Sequence, residues 1–343
     1  MSQANRFGSR FTISSFGESH GKALGVLIDG MPAGVDFNED LLKKFMSRRR
    51  PGSSNIVSAR NEEDSVEILS GIFESKTLGT PILGVVFNHD QRSEDYRYLA
   101  PRRGHADLLW QEKFGNADFR GGGRSSGRET LARVIGGSFA KMFCTQVLPR
   151  INVCAFAQRI GPFELQAGDR VRLEQENHSD FVDRFAARFP SQVQSPLVEK
   201  LLLDAKSEGK SYGGVAELWV DNLPKGLGQP VFHKLKSDIA TAMMSIGATL
   251  GIEFGDGFLA TQAEGSEFHQ RQEGDHYGGI QGGMSNGERI ILRVAYKPTS
   301  SVLDVAKKGR HDPCIVPRAI PVMEAMIWCV IADHLLWQRS DRV

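Results

Sequence analysis

Two stretches in opposite halves of the chain share one pattern. Asp29-Gly-Met-Pro-Ala-Gly-Val35 and Asp221-Asn-Leu-Pro-Lys-Gly-Leu227 each follow an apolar run that reads as a strand, and each precede a helix. Downstream, the strand expected at 82–87 and its polar loop match the strand expected at 290–295 and Lys297 to Ser301, and a long helix follows in each half. A chain patterned this way folds as two similar α+β layers about a pseudo-twofold, with a site where the halves meet. Asp-x-x-Pro-x-Gly is also common turn chemistry, so the strand orders of the two halves decide the matter.

Hydrophobic periodicity supplies the remaining elements. Phe37, Leu41, Leu42 and Phe45 predict an amphipathic helix with a capping-type start at Asp36 and Glu39, stopped by Pro51-Gly52. Its last turn carries Arg48-Arg49-Arg50, more arginine than a helix dipole calls for. Strands are predicted at 66–69, 151–160 and 214–220, and helices at 108–114, 196–207 and 232–248. A final amphipathic helix is predicted at 317–336. Residues 161–194 are polar and read as an elaboration. Gly278 to Met284 is a second glycine loop, followed by the turn signal Asn286-Gly287.

Arg120 to Arg133 is the stretch with the most chemistry. Its glycines let the backbone approach a ligand closely, and Ser126 with Glu129 reads as a capping box opening a helix that runs to about Val147. A glycine loop feeding a helix N-terminus is a natural anion site. Arg124 and Arg128 stand in that turn against the dipole's preference, which is unfavourable unless an anion occupies it. No Gly-Lys-Ser/Thr follows, so it is not a nucleoside-triphosphate P-loop.

Charge narrows the ligand. With 42 basic and 41 acidic residues among 343, the chain lacks a general nucleic-acid footprint. Clustered arginines without a net excess suit a small anion better than a polyanion. Cys144, Cys154, Cys314 and Cys329 show neither CxxC pairing nor zinc spacing and are expected as buried thiols. No metal site is expected. The N-terminus has no signal-like apolar region and no apolar run is read as membrane-spanning, so a soluble, cytoplasmic chain is expected.

His20 lies between Ser19 and Gly21 in a polar loop and is expected to be exposed. His105 follows Arg102 and Arg103. Both are candidate proton donors among fixed positive charge, suited to assisting a leaving phosphate or an anionic cofactor. Lys297-Pro-Thr-Ser-Ser301 offers one cation and three hydroxyls beside a strand end. Arg310-His-Asp312-Pro reads equally as a local ion pair. The residues alone lead to an enzyme that binds a small, multiply anionic, phosphorylated ligand.

Nine segments together resemble the chorismate synthase family. They are Gly17-Glu-Ser-His-Gly21, Arg48-Arg-Arg-Pro-Gly52, Asp90-Gln-Arg-Ser93, Gly104-His-Ala-Asp107, Gly121-Gly-Gly-Arg-Ser-Ser126, Ala242-Met-Met-Ser-Ile246, Gly278-Gly-Ile-Gln-Gly-Gly283, Lys297-Pro-Thr-Ser-Ser301 and Gly309-Arg-His-Asp-Pro313. They fall in order over nearly the whole chain.

The resemblance implies one domain, 1–343, of α+β class: a β-α-β sandwich of two antiparallel sheets with helices between, assembled as a homotetramer. It implies 1,4-anti elimination of phosphate from 5-enolpyruvylshikimate 3-phosphate to give chorismate, with reduced FMN required and no net redox change. His20 then acts near the departing phosphate, His105 at the flavin, and Asp312 in proton transfer. Ser19, Arg49, Arg102, Ser126, Arg128 and Arg310 would hold the substrate. Arg124, Ser125, Ser126, Gly247, Ala248, Gly282, Lys297, Pro298, Thr299, Ser300, Ser301 and Arg310 would hold the flavin. The reductant is left open between NADPH and a separate flavin reductase.

Three positions depart from the family pattern: Gly127 stands where alanine is usual, Asn55 where arginine is frequent, and the segment from Ser301 to Gly309 is short. Two other readings compete. A flavin oxidoreductase would show net oxidation or reduction of substrate, and a nucleic-acid binder would show steep salt dependence.

Overall fold

The computed structural model describes residues 4–50, 64–88, 104, 106–116, 118, 122–176, 178–271, 276–300 and 312–342. In the first half, β1 (Arg6–Phe7), β2 (Thr12–Phe16) and β3 (Ala23–Asp29) precede helix α1 (Glu39–Arg49). Strand β4 (Glu67–Ile68), the hairpin β5 (Ile72–Phe73) and β6 (Lys76–Thr77), and β7 (Ile82–Phe87) follow. A short α2 (Asp107–Phe114) leads on to the long α3 (Thr130–Val147).

The second half begins with β8 (Asn152–Ile160) and β9 (Phe163–Glu164), then helices α4 (Ala167–Gln175), α5 (Ser179–Val182) and α6 (Ser195–Glu208). Strand β10 (Gly214–Asp221), α7 (Leu235–Met244), β11 (Thr249–Phe254) and α8 (Gly265–Gln270) come next. The hairpin β12 (Ile280–Gln281) and β13 (Met284–Ser285), β14 (Ile290–Tyr296) and α9 (Val316–Gln338) complete it.

The two main sheets are antiparallel, ordered β1-β2-β3-β7-β4 and β11-β14-β10-β8-β9. Reading β8, β10, α7, β11, β14 and α9 as counterparts of β2, β3, α1, β4, β7 and α3 gives the same strand order in both halves. The register repeats too: Thr12 faces Asp29 as Asn152 faces Asp221, and Ile28 faces Ile82 as Val220 faces Ile290.

The shared Asp-x-x-Pro-x-Gly motif explains itself in this frame. Thr77, on the first hairpin, accepts from Gly34 N–H through its carbonyl, donates its own N–H to the Val35 carbonyl, accepts from Val35 N–H at Oγ1 and donates Oγ1–H to the Pro32 carbonyl. Ser285, on the second hairpin, makes the same four bonds with Gly226, Leu227 and Pro224. A buried hydroxyl thus pegs each motif to its hairpin, and generic turn chemistry does not require that.

Helices α3 and α9 lie back to back between the sheets, α3 against β2 and β3, α9 against β8 and β10. Gly136 and Gly137 divide the contact. A Cβ on Gly136 would fall 2.6 Å from Ile13, and one on Gly137 would fall 2.5 Å from Ala325. The buried apolar residues of both halves form one cluster. The expected α+β sandwich of two antiparallel sheets with helices between them, and its internal twofold, is the fold observed.

Several expectations change. The last helix is not amphipathic: α9 is buried nearly all round, Glu324 and Asp333 included, and with a mean hydropathy of 1.6 it does reach membrane-spanning length, but 94% of that stretch is buried in the core. The helix expected at 232–248 covers only Leu235–Met244: Lys234, extended at ψ 140°, stands just outside its first turn, and Ser245 ends it. Asn38, not Asp36, caps α1 by accepting from Leu41 N–H at 2.9 Å. Residues 161–194 and α6 are an insertion in the second half only, and Arg170 of α4 clamps Glu217 on the outer face of β10.

Candidate active site

Loops at one end of both halves supply the site. The β2–β3 loop carries Ser19 and His20. Ser19 Oγ lies 3.0 Å from His20 Nδ1, which fixes the ring. His20 is only 4% exposed, so the expectation of an exposed histidine fails. Asn88, just past β7, donates Nδ2–H to the carbonyls of Gly21 (2.7 Å) and Ser19 (3.4 Å), holding the loop on either side of His20.

The last turn of α1 aims its arginines differently. Arg48 turns away into an ion cluster with Asp183 and Glu324. Arg49 points inward, donating to Thr130 Oγ1 (3.2 Å), Asp64 Oδ2 (2.9 Å) and the Gly127 carbonyl (3.0 Å). Arg128 meets the same carboxylate, donating Nη1 to Asp64 Oδ1 at 2.8 Å and Nε to Asn88 Oδ1 at 2.8 Å. Burial pushes the Arg49 guanidinium down to about 10; Asp64 opposes this, while Arg318 and Arg128 add like charge. Asp64 and Asn88 were not expected at the site. Asp64 ends an acidic run, Glu62-Glu63-Asp64, that reads as a solvated face.

The glycine loop opens differently from a capping box. Ser126 Oγ accepts from Arg128 N–H at 3.4 Å and starts a 3₁₀ turn, Gly127–Glu129, ahead of α3. The Glu129 carboxylate pairs with Arg133 rather than turning back to Ser126. Arg133 in turn holds Ser245, bringing the start of α3 to the segment after α7. Arg124 reaches across to Ser15 Oγ and the Gly17 carbonyl, and Ser125 Oγ accepts from the Trp110 indole.

The second half contributes the other wall. Lys297 N–H donates to the carbonyl of Ala248, which sits at φ 69°. Lys297 Nζ and Ser300 Oγ both donate to the Gly104 carbonyl, at 2.9 and 3.0 Å. Thr299 Oγ1 donates to the Asp312 carbonyl, and the Asp312 carboxylate pairs with Arg318 at 2.5 Å. The structure therefore joins Gly247, Ala248, Lys297 to Ser300 and Asp312 in one region. Gly282 is not joined to them directly. It lies at the β12–β13 turn against the N-terminal end of α7, while Gly247 follows the C-terminal end. His105, Arg102, Ser301 and Arg310 lie outside the described residues, as does Asn55.

The residues suit a flat, anionic cofactor. Gly247 and Gly127 have nothing within 4 Å of where a Cβ would stand, so the surface there is open to a close approach. Lys297 and Ser300 supply a cation and a hydroxyl nearby. All four cysteines are buried free thiols, as expected, and burial raises their pKa values.

Comparison with known proteins decides the family. The chorismate synthase family model matches residues 11–336. The chain belongs to the chorismate synthase family. It is 56% identical to the chorismate synthase of Bdellovibrio bacteriovorus and 40% identical to that of Cytophaga hutchinsonii, each match covering 99% of both chains. A crystal structure of chorismate synthase superposes with a TM-score of 0.76 at 29% identity, over 97% of this chain and 93% of that one. The activity is accordingly that of a lyase of the shikimate pathway, converting 5-enolpyruvylshikimate 3-phosphate to chorismate, in a family that works with a flavin.

Proposed function

We propose that the site described above carries out the 1,4-anti elimination with FMN as its flavin, and that its residues divide the labour as follows. Arg49 and Arg128, with Ser19, Ser126, Arg102 and Arg310, hold the two carboxylates and the phosphate of the substrate. Each charge-assisted bond contributes ~1.5–3 kcal/mol. His20 stands by the departing phosphate and gives it a proton as the carbon–oxygen bond breaks. Asp312 and His105 manage protons on the flavin side.

The observation that carries this reading is the convergence of Arg49, Arg128 and His20 on one hydrogen-bonded network, three basic groups from distant parts of the chain. Arg124, Ser125, Ser126, Gly247, Ala248, Gly282 and Lys297 to Ser301, with Arg310, would hold the FMN. Reduced FMN held there would supply electron density as phosphate departs and a basic nitrogen for the C6 proton. The chain is proposed to work as a single domain within a cytoplasmic homotetramer, with NADPH or a separate reductase maintaining the reduced flavin.

An anaerobic assay with dithionite-reduced FMN, following phosphate and chorismate together, tests the reading. Stoichiometric release of both is expected. Phosphate without chorismate, or turnover with oxidised FMN, would overturn it.

A further inference from the structure

Arg49 and Arg128 reach the site from separate elements, and one carboxylate holds both. Each Asp64 oxygen takes one guanidinium, at 2.9 and 2.8 Å, and none of the three side chains is more than 3% exposed. Two buried cations this close repel each other, so the carboxylate between them sets both their spacing and their joint charge. The trio carries one net positive charge, which still favours an anionic partner.

The network continues from there. Arg128 Nε donates to Asn88 Oδ1, and Asn88 Nδ2–H donates to the carbonyls on both sides of His20. Asp64 is thus three links from the His20 loop through side chains whose geometry each neighbour fixes. Asn88 can serve both ends at once because an amide both accepts and donates.

We propose that Asp64 is a positioning residue for the elimination: it aligns Arg49 and Arg128 as one anion clamp and, through Arg128 and Asn88, fixes the loop that presents His20. The proposal rests on the reading of Arg49, Arg128 and His20 given above. A clamp built this way couples two tasks. Seating the substrate's anionic groups on the arginines also braces the histidine loop, so binding and proton delivery are set by the same carboxylate.

The test uses the full chain under anaerobic steady-state conditions, comparing wild type, Asp64→Asn, Asp64→Glu, Asn88→Ala and the Asp64→Asn/Asn88→Ala pair. Flavin affinity and thermal unfolding are measured alongside. Asp64→Asn is expected to raise KM by about tenfold or more and to lower kcat, with the flavin Kd little changed, since a charged hydrogen-bond partner is lost at the clamp alone. Asp64→Glu recovers part of both. Asn88→Ala lowers kcat more than it raises KM, and the loss in the double variant is smaller than the product of the single losses, because the two residues act in one chain.

Wild-type KM and kcat in Asp64→Asn would overturn the proposal, as would independent, multiplying effects in the double variant. Should Asp64→Asn fail to fold, Asn88→Ala decides: an unchanged kcat there overturns the link to His20. Calorimetric binding of inorganic phosphate needs no turnover, and Asp64→Glu is expected to weaken it several-fold. Wild type without chorismate formation would remove the reaction assignment, whereas phosphate affinity unmoved by Asp64→Glu would remove the clamp.

Discussion

Arg48 and Arg49 are neighbours with the same side chain, and they do unrelated work. A helix turns about 100° per residue, so one guanidinium enters the Asp183–Glu324 cluster and the other the Asp64 network of the proposed site. Arg49→Lys should therefore be severe. A lysine cannot reproduce the fork that reaches Thr130, Asp64 and the Gly127 carbonyl together, and a rise in KM of about tenfold or more is expected. An unchanged KM would mean that the fork serves the fold alone. His20→Ala should slow phosphate release by ~10²-fold, the usual scale for a general acid, and wild-type release by that variant would remove its role. At this scale the sequence exposes the bases and hides their counterions. His20 stands out because histidine in a Gly-flanked loop is unusual. Asp64 does not, since its burial depends on two arginines from other elements and nothing local distinguishes it from Glu62 and Glu63.

At the level of elements, the repeated motif is where sequence and structure agree most closely. The hydroxyls of Thr77 and Ser285 satisfy equivalent backbone groups in the two halves, so deleting either should have a similar effect. Thr77→Val and Ser285→Ala each leave a buried amide without its acceptor, at about 1–3 kcal/mol, and denaturant unfolding of the two variants reads this directly. A large loss for one and none for the other would mean the halves are braced differently. Gly137→Ala is expected to be worse. Its new methyl meets the backbone of α9 at Ala325, where no side chain can move aside, and overpacking of that kind costs about 1–3 kcal/mol or more. Strands β3, β4, β7, β8, β10 and β14 and the start of α9 were legible because period-two and period-3.6 patterns are local properties, whereas β2 and β11 were not read as strands. The all-round burial of α9 was not, because it comes from the partners: α3, α7, β8 and β10 close on it from different sides.

Across the whole molecule, the last turn of α1 faces two ways, to the proposed site through Arg49 and to a buried ion cluster through Arg48. That cluster ties three regions together. Arg48 pairs with Asp183 after α5 and with Glu324 of α9, and Arg188 pairs with Asp183 while donating to the carbonyls of Arg48 and Pro317. Glu324 also accepts from Ser179 Oγ and from Ala155 N–H in β8. The insertion that brings Asp183 and Arg188 has no counterpart in the first half, so the internal repeat, which made the sandwich readable, could not reveal it. Burial would raise the Asp183 carboxyl, but Arg48 and Arg188 outweigh it and hold it below the usual range. A carboxylate depressed in the folded state contributes stability above its unfolded value, about 3.9, and that contribution is lost as pH falls through the lower folded value. Asp183→Asn removes the charge at every pH and leaves the buried arginines short of a partner, a loss of about 3–5 kcal/mol near neutrality. The gap in Tm between wild type and Asp183→Asn should therefore be wide at neutral pH and narrow below about pH 4 as the wild-type carboxylate takes up its proton. A gap that stays constant down to the acid limit of folding would show that Asp183 acts there by shape and not by charge.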